Sequence, residues 1–225
     1  MLKALKTYFG FDTLRPSQEE IIQTILRGED AFVLMPTGGG KSLCYQLPAM
    51  MLPGLTLVVS PLIALMKDQV DGLRANGVPA AFLNSSIERD EQRVIEAEAR
   101  ACKIKLLYVA PERLVLSGFR QFLKQLNLNL IAIDEAHCIS EWGHDFRPEY
   151  RNLKSLRPDF PTVPIVALTA TATERVRGDI IRELSFEKAR VFLSSFNRAN
   201  LRYQVEPKRD TFDRLLVLLK KYTHE

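Results

Sequence analysis

The chain has 225 residues, of which 46% are hydrophobic and 26% are charged, and its formal net charge at pH 7 is +4. This composition predicts a globular protein with one large domain or two small ones, and it excludes a disordered or fibrous chain. No apolar run reaches the length of about 20 residues that spans a bilayer, and the three widely separated cysteines exclude a disulfide framework or a zinc module.

Short apolar runs alternate with longer mixed segments along the chain. Several runs, such as LTLVV and IVAL, are apolar on both faces, which is typical of strands in a sheet covered on both sides. The alternation predicts βαβ units, and hence an α/β fold with helices on both faces of a mostly parallel central sheet. The predicted strands are Ala31–Met35, Leu55–Ser60, Ala80–Leu83, Lys105–Val109, Leu128–Ile133, Ile165–Leu168 and Arg190–Leu193.

Three segments between these strands have the Ser/Thr-x-x-Glu spacing of a capping box. In that arrangement two side chains satisfy free backbone donors at the start of a helix, so the pattern predicts three helix starts. The paired residues are Ser17 and Glu20, Ser85 and Glu88, and Thr171 and Glu174.

A glycine-rich segment, MPTGGGKS, follows the first predicted strand and precedes the helix-like LCYQLPAM. It is close to the Walker A pattern, with Met35 at a position where the pattern has glycine. Consecutive glycines let backbone N–H groups turn around a phosphate chain, and the following helix presents its positive end to the anion. We expect Lys41 to reach the β and γ phosphates of a nucleotide and the Ser42 hydroxyl to ligate Mg²⁺. The predicted phosphate loop consists of Thr37, Gly38, Gly39, Gly40, Lys41 and Ser42.

The predicted strand Leu128–Ile133 ends directly before the segment DEAH. An apolar strand that ends in an acid is the Walker B arrangement, and sites in α/β proteins form at the carboxyl ends of parallel strands. We predict that Asp134 holds Mg²⁺, mostly through its water shell, and that Glu135 orients and polarises the attacking water. His137 lies beside these carboxylates, which favours a role in coupling the nucleotide site to another part of the protein.

Five segments occur in the order MPTGGGKS, SPLIALMKDQV, YVAPERL, IDEAHCISEWGHDFRPEY and ALTATAT. Together they resemble the first motor lobe of RecQ-family DNA helicases, ATP-driven superfamily-two enzymes that unwind DNA with 3′-to-5′ polarity. The resemblance runs from about Tyr8 to Val205, and the run from Cys138 to Tyr150 is its most specific part. It implies a RecA-like P-loop NTPase lobe that uses ATP and Mg²⁺, with single-stranded DNA and duplex junctions as partners.

The segment Phe9-Gly10-Phe11, with Arg15 and Gln18 after it, resembles the adenine-reading motif of that family. An aromatic ring can stack on the base, and a glutamine amide can both donate to its edge and accept from it. The resemblance assigns Phe11 to stacking, Arg15 to support and Gln18 to base recognition.

The segment WGHDFR mixes aromatic and charged side chains around a glycine, which suits an exposed, adjustable loop. Aromatic faces stack on bases at about 1–3 kcal/mol each and accept any base, and an arginine can pair with a phosphate. In RecQ-family helicases the corresponding loop senses single-stranded DNA and relays that to hydrolysis. The resemblance implies DNA contacts by Trp142, His144, Phe146 and Arg147. Alternatively, Trp142 and Phe146 anchor a structural loop in the core.

Three further segments lie at the ends of predicted strands. Ser60-Pro61-Leu62 and Asn84-Ser85-Ser86 resemble segments that contact the DNA backbone, which implies contacts by Ser60, Pro61, Asn84 and Ser85. Hydroxyl and amide groups at strand ends can position phosphates without reading sequence. Ser and Asn are equally common as turn and cap residues, and that alternative stays open. The segment Thr169–Thr171 resembles the motif that links hydrolysis to lobe movement, although Thr171 could instead cap a helix.

We expect residues 1–205 to form the ATP-binding lobe and residues 206–225 to be a linker and the first helix of a missing second lobe. Apolar residues follow a helical face there, at Phe212, Leu215, Leu216 and Leu219. In helicases of this class the second lobe supplies an arginine to the transition state, so the isolated chain is expected to bind nucleotide but to hydrolyse it weakly.

The leading hypothesis is therefore the ATP-binding lobe of a RecQ-like DNA helicase, located in the cytoplasm or nucleoid of a bacterium or in a eukaryotic nucleus. One alternative is the lobe of a DEAD/DEAH-type RNA helicase. Another is a non-enzymatic module that binds nucleotide or DNA. All three are expected to work without a membrane.

Overall fold

The structure is a computed structural model that describes residues 1–195, 201, 204–205 and 207–222. A central sheet contains one strand for each of the seven predicted runs, with bounds that differ by no more than one residue. The strands are β1 Ala31–Leu34, β2 Leu55–Val59, β3 Ala80–Leu83, β4 Leu106–Val109, β5 Leu128–Ile133, β6 Ile165–Thr169 and β7 Arg190–Leu193. They lie in the order β3-β4-β2-β5-β6-β1-β7, and every neighbouring pair is parallel.

Nine α-helices and three short 3₁₀-helices lie within the described part of the chain. The 3₁₀-helices are Pro111–Val115, Ala136–Ile139 and Pro148–Ser155. The α-helices are α1 Leu2–Phe9, α2 Pro16–Leu26, α3 Leu43–Met51, α4 Ile63–Ala75, α5 Arg89–Arg100, α6 Ser117–Lys124, α7 Leu156–Asp159, α8 Glu174–Glu183 and α9 Thr211–Tyr222. None of these helices is both long enough and apolar enough to cross a membrane.

Successive side chains of the strands enter two separate buried clusters, one on each face of the sheet. In β1, for example, Phe32 belongs to one cluster and Val33 to the other. Helices α5, α6 and α8 pack on the face of Phe32, and helices α2, α3 and α4 pack on the face of Val33. The predicted α/β fold with helices on both faces of a parallel sheet is therefore confirmed.

The helix starts differ from the capping-box predictions, which were wrong at all three places. Helix α2 begins at Pro16, whose fixed φ suits the first helical position, so Ser17 already lies inside the helix. Before α5, the Asn84 side chain accepts a hydrogen bond from the Ser86 backbone N–H at 2.8 Å and forms a turn. At α8, the Thr173 hydroxyl accepts from the Val176 N–H at 3.3 Å. The observed N-cap residues are Arg15, Glu88 and Thr173, in place of Ser17, Ser85 and Thr171.

Helix α9 has the apolar face that the sequence predicts, and no residue from Thr211 to Tyr222 is buried. Its apolar residues Phe212, Leu215, Leu216 and Leu219 are all exposed. Residues 206 and 223–225 of the predicted C-terminal segment lie outside the described residues.

Candidate functional site

The predicted site residues follow strands that are neighbours in the sheet. The phosphate loop follows β1, the segment Thr169–Thr171 ends β6, the segment DEAH follows β5, and Ser60-Pro61 follows β2. Strands β2, β5, β6 and β1 lie side by side in that order. Because their carboxyl ends share one edge of the parallel sheet, these segments gather at the edge where α/β proteins bind ligands.

The phosphate loop is a tight turn between β1 and α3. Gly38 and Gly40 have φ of +76° and +83°, a left-handed conformation that favours glycine. A Cβ atom at Gly40 would also collide with the Gln18 side-chain amide. The Lys41 ammonium donates to the Met35 carbonyl oxygen at 3.3 Å, so its side chain lies across the loop.

Arg15 and Gln18, two of the residues predicted to bind adenine, contact the phosphate loop from the start of α2. The Arg15 guanidinium donates to the Gly38 carbonyl oxygen at 2.7 Å. The Gln18 amide donates to the Gly40 carbonyl oxygen at 3.1 Å, and its oxygen accepts from the Arg15 backbone N–H at 2.9 Å. Gln18 is only 4% exposed, whereas the Phe11 ring is 56% exposed and free to take a planar ligand. Their assignment to the adenine stays a prediction.

The two carboxyl groups of the DEAH segment have opposite electrostatic environments. Burial, together with the neighbouring charge of Glu135, raises the pKa of Asp134 to about 6, and Lys41 partly offsets this. A hydrogen bond from His137 lowers the pKa of Glu135. Glu135 also adopts the left-handed region with φ +47°, and its backbone N–H donates to the Asp134 carboxylate at 3.0 Å. At neutral pH Glu135 is therefore ionised and available as a proton acceptor.

His137 connects the DEAH segment to the end of β6. Its Nδ1 lies 3.2 Å from a Glu135 carboxylate oxygen and 2.9 Å from the Thr169 hydroxyl oxygen. The single hydroxyl hydrogen of Thr169 is directed at the Thr171 carbonyl oxygen, 3.1 Å away. Thr169 therefore accepts from His137, which places the proton on Nδ1. The same Nδ1–H also faces the Glu135 carboxylate, to which it can donate.

The segment WGHDFR forms an exposed loop directly above the DEAH segment. Its His144 ring stacks on the His137 ring, with centroids 4.2 Å apart and an angle of 17° between the planes. His144 Nδ1 is also 3.3 Å from the Thr171 hydroxyl. The Arg147 guanidinium donates to the Pro61 carbonyl oxygen at 3.0 Å, which ties the loop to the end of β2.

Arginine guanidinium groups lie over the rings of two aromatic side chains of this loop. Arg175 of α8 lies 3.3 Å from the centroid of the Trp142 ring, and Arg151 lies 5.2 Å from that of the Phe146 ring. Trp142 is 59% exposed and Phe146 is half-buried, so the alternative that Trp142 anchors the core is wrong. Exposed aromatic faces beside cations are typical of surfaces that bind single strands.

The side chains predicted to touch the DNA backbone are mostly covered in this structure. Ser60 and Asn84 are 1% and 0% exposed, whereas Ser85 is exposed. The Ser60 hydroxyl and the Asn84 amide nitrogen have no hydrogen-bond partner among the residues that the structure describes, and the same holds for Arg113 Nε. Their role as phosphate contacts stays a prediction.

Comparison with known proteins identifies the family. The model of the family described as DEAD/DEAH box helicase matches residues 15–179. The chain belongs to the DEAD/DEAH box helicase family. The match extends from the α2 contacts through the phosphate loop and the DEAH segment into α8.

This DEAD/DEAH box domain is also similar to curated RecQ proteins. It is 50% identical over 214 residues to the ATP-dependent DNA helicase RecQ of Haemophilus influenzae, covering 95% of this chain and 35% of the relative. It is 46% identical over 216 residues to the RecQ-like DNA helicase BLM of Xenopus laevis, covering 93% of this chain and 16% of the relative. The predicted resemblance to RecQ-family helicases is confirmed. The chain spans about a third of the length of the first of these relatives.

Solved structures confirm the RecA-like helicase fold of this DEAD/DEAH box domain. The helicase MrfA bound to DNA and AMPPNP superimposes with a TM-score of 0.72 at 18% identity, covering 99% of this chain and 34% of the other. A hypothetical ATP-dependent RNA helicase from Sulfolobus tokodaii gives 0.65 at 20% identity, covering 86% and 57%.

Sequence reasoning missed three polar residues of this DEAD/DEAH box domain. Arg175, which lies on the Trp142 ring, is distant in sequence and carries no local signal. Arg113 follows β4, and its position beside Asn84 appears only in the fold. Gln69 donates to the Ser42 hydroxyl at 3.1 Å. It falls on the inward stripe of α4 with buried Met66 and Val70, a periodicity that could have revealed it.

Proposed function

We propose that the chain is the ATP-binding lobe of a RecQ-like DNA helicase, which couples ATP hydrolysis to 3′-to-5′ unwinding of DNA in the full-length enzyme. The observation that carries this is the ring stack between His137 of the DEAH segment and His144 of the exposed loop. It joins the nucleotide site and the aromatic loop by direct contact. The DNA helicases named among the relatives favour DNA over RNA as the partner.

The oxygen donors at the sheet edge fit a magnesium ion. A hard cation prefers carboxylate and hydroxyl oxygens, which Asp134 and Ser42 would provide. The raised pKa of Asp134 reflects a buried carboxyl next to a second carboxyl, an arrangement that a divalent cation relieves. When bound with ATP, Mg²⁺ would neutralise charge on the β and γ phosphates.

The remaining residues would act directly on ATP and water. Lys41 would move from the Met35 carbonyl to the terminal phosphates, and the backbone N–H groups of the loop would hold the phosphate chain. Glu135, whose pKa the His137 hydrogen bond lowers, would accept a hydrogen bond from the attacking water and orient it. His137, held by Thr169, would fix the direction of the Glu135 carboxylate.

Single-stranded DNA would bind to the WGHDFR loop. A base would stack on the Trp142 ring, and the neighbouring arginines would face the phosphates. Since His144 belongs to the same loop, its movement would alter the ring stack and thereby the position of His137. This would let DNA binding change the alignment of Glu135.

We further propose that residues 1–205 form this lobe and that residues 206–225 are a linker and the first helix of a second lobe. The exposed apolar face of α9 supports this, as does the share of about 35% of the Haemophilus relative that the chain covers. Alone, the chain would bind ATP and hydrolyse it slowly, because the second lobe supplies an arginine worth about 10³–10⁵ in rate. Such a protein would work where DNA is, in a bacterial nucleoid or a eukaryotic nucleus.

ATP turnover tests the proposal. We expect slow turnover by the chain alone, and much faster turnover, stimulated by single-stranded DNA, by a protein extended through the second lobe. Stimulation by RNA instead of DNA would favour an RNA helicase. Comparable turnover with and without the second lobe would contradict the proposed division of labour. A non-enzymatic module would be indifferent to the Lys41→Ala substitution.

A further inference from the structure

Behind the phosphate loop lies a buried polar network that neither the Walker motifs nor the DNA loop accounts for. It joins α3, α4 and β4 and ends at Ser42. Gln69 of α4 donates from its amide nitrogen to the Ser42 hydroxyl at 3.1 Å and accepts at its amide oxygen from Gln46 at 2.7 Å. Tyr108 of β4 adds a longer contact of 3.4 Å to the same oxygen.

The network fixes which end of the Gln69 amide faces Ser42. The Gln46 amide nitrogen donates both to Gln69 Oε1 and to the Tyr108 hydroxyl, 3.0 Å away. The Tyr108 hydroxyl can give its own hydrogen to Gln69 Oε1 or to the Tyr45 hydroxyl, each 3.4 Å away. With the Gln46 nitrogen donating to its oxygen, the Gln69 amide presents its nitrogen to Ser42. Gln46 and Tyr108 are buried, so water does not offer either of them an equivalent partner.

A serine hydroxyl has two acceptor lone pairs and one hydrogen, and it rotates freely unless a partner holds it. We propose that Gln69 is a positioning residue for Ser42: its N–H occupies one lone pair of the hydroxyl and leaves the other available to a magnesium ion. This rests on the proposed function, in which Ser42 is a ligand of Mg²⁺. Gln69 would act on the ion only through Ser42. Its role is to hold the ligand in one rotamer before the ion arrives.

The test compares nucleotide affinity with and without magnesium. A fluorescent ADP analogue is titrated into the chain in excess Mg²⁺ and again in EDTA. The Gln69→Met variant keeps the length and volume of the side chain but has no donor. We expect it to bind about three- to tenfold more weakly in Mg²⁺, the effect of one lost hydrogen bond, and as tightly as wild type in EDTA. Gln121→Met, on the exposed surface of α6, is the matched control and should bind like wild type in both.

Two more variants separate positioning from general damage to the fold. Tyr108→Phe keeps the ring and removes a hydroxyl that contacts both Gln69 and Gln46, so we expect a loss of about twofold that is again confined to Mg²⁺. Ser42→Ala combined with Gln69→Met should bind no more weakly than Ser42→Ala alone, because the two residues act through one hydroxyl.

An equal loss of affinity for Gln69→Met in Mg²⁺ and in EDTA would overturn the inference, and so would full additivity with Ser42→Ala. If the wild-type chain binds the ADP analogue more tightly in Mg²⁺ than in EDTA and Gln69→Met shows the same difference, the inference is overturned and the proposed function stands. A wild-type chain that binds no nucleotide would overturn the proposed function and the inference with it.

Discussion

The phosphate loop and the WGHDFR loop lie at the same edge of the sheet but are held in different ways. The phosphate loop is fixed from α2 by hydrogen bonds to its own carbonyl oxygens, made by Arg15 and Gln18. The WGHDFR loop has hydrogen bonds at Gly143 and Arg147, but its exposed rings are held by ring contacts alone on their faces, Trp142 with Arg175 and His144 with His137. Hydrogen bonds to backbone impose one geometry, whereas ring faces tolerate sliding. The difference suggests a rigid site for an invariant ligand, the phosphate chain, beside an adjustable one for bases of any sequence.

The largest expected effect concerns the rigid site. Lys41→Ala removes the cation proposed for the terminal phosphates, so we expect ATP affinity to fall roughly 100-fold, as for two charge-assisted hydrogen bonds. Affinity for an oligothymidylate should change less than twofold. Fluorescence titration of both ligands measures this, with Lys188→Ala, an exposed lysine, as the control. Parallel losses for both ligands would show that the two loops are not separate sites.

Beside the phosphate loop, the DEAH segment holds a buried carboxyl, Asp134, whose charge lowers the stability of the fold. The pKa of Asp134 is raised in the fold, to about 6, so the folded chain binds more protons than the unfolded chain between about pH 4 and pH 6. The stabilising contribution of the protonated carboxyl is therefore lost as pH rises through this window. Asp134→Asn should raise the free energy of unfolding at pH 7.5 by about 2 kcal/mol relative to its effect at pH 4.

Urea denaturation at the two pH values measures this difference, in the absence of nucleotide and divalent ions. Asp68→Asn, at an exposed position of α4, serves as the control and should show no comparable difference. An Asp134→Asn effect that is the same at both pH values would mean that the buried carboxyl is not strained by its surroundings.

The adjustable site is tested by Trp142→Ala. Loss of one stacking platform should weaken oligothymidylate binding by about tenfold, while affinity for the ADP analogue stays the same. Fluorescence anisotropy at fixed ionic strength measures the DNA affinity. Trp142→Phe keeps an aromatic face and should retain most of it. If Trp142→Ala binds DNA like wild type, the exposed ring has another role.

The sequence predicts some parts of this molecule much better than others. All seven strands were predicted because each is a short apolar run, and the phosphate loop was predicted because its glycines and Lys41 are contiguous. Helix starts were not, since Pro16 and the turn at Asn84 decide them, against the capping-box spacing. Spacing rules describe what a cap can do, and the neighbouring turn decides where the helix begins.

The surroundings of the site depend on contacts that no local pattern contains. Arg175 contacts Trp142 although it lies 33 positions further along the chain, and Gln69 contacts Ser42 across 27 positions. The burial of Ser60 at a strand end likewise appears only when the neighbouring elements are in place. Sequence therefore locates the groups that carry chemistry, and the fold determines which side chains orient them.

The smallest expected effect concerns the place where the two regions meet. If the His137–His144 stack carries the coupling, saturating oligothymidylate should change wild-type affinity for the ADP analogue by about threefold, the scale of one ring contact. His144→Ala should abolish that change while leaving the affinity for the ADP analogue alone within about twofold. His144→Phe, which keeps a ring over His137 but loses the contact of Nδ1 with Thr171, separates stacking from hydrogen bonding. If coupling survives in His144→Phe and not in His144→Ala, the ring stack carries it. Coupling that survives in both variants would show that the rigid and adjustable sites communicate elsewhere, for example through Arg147 and Pro61.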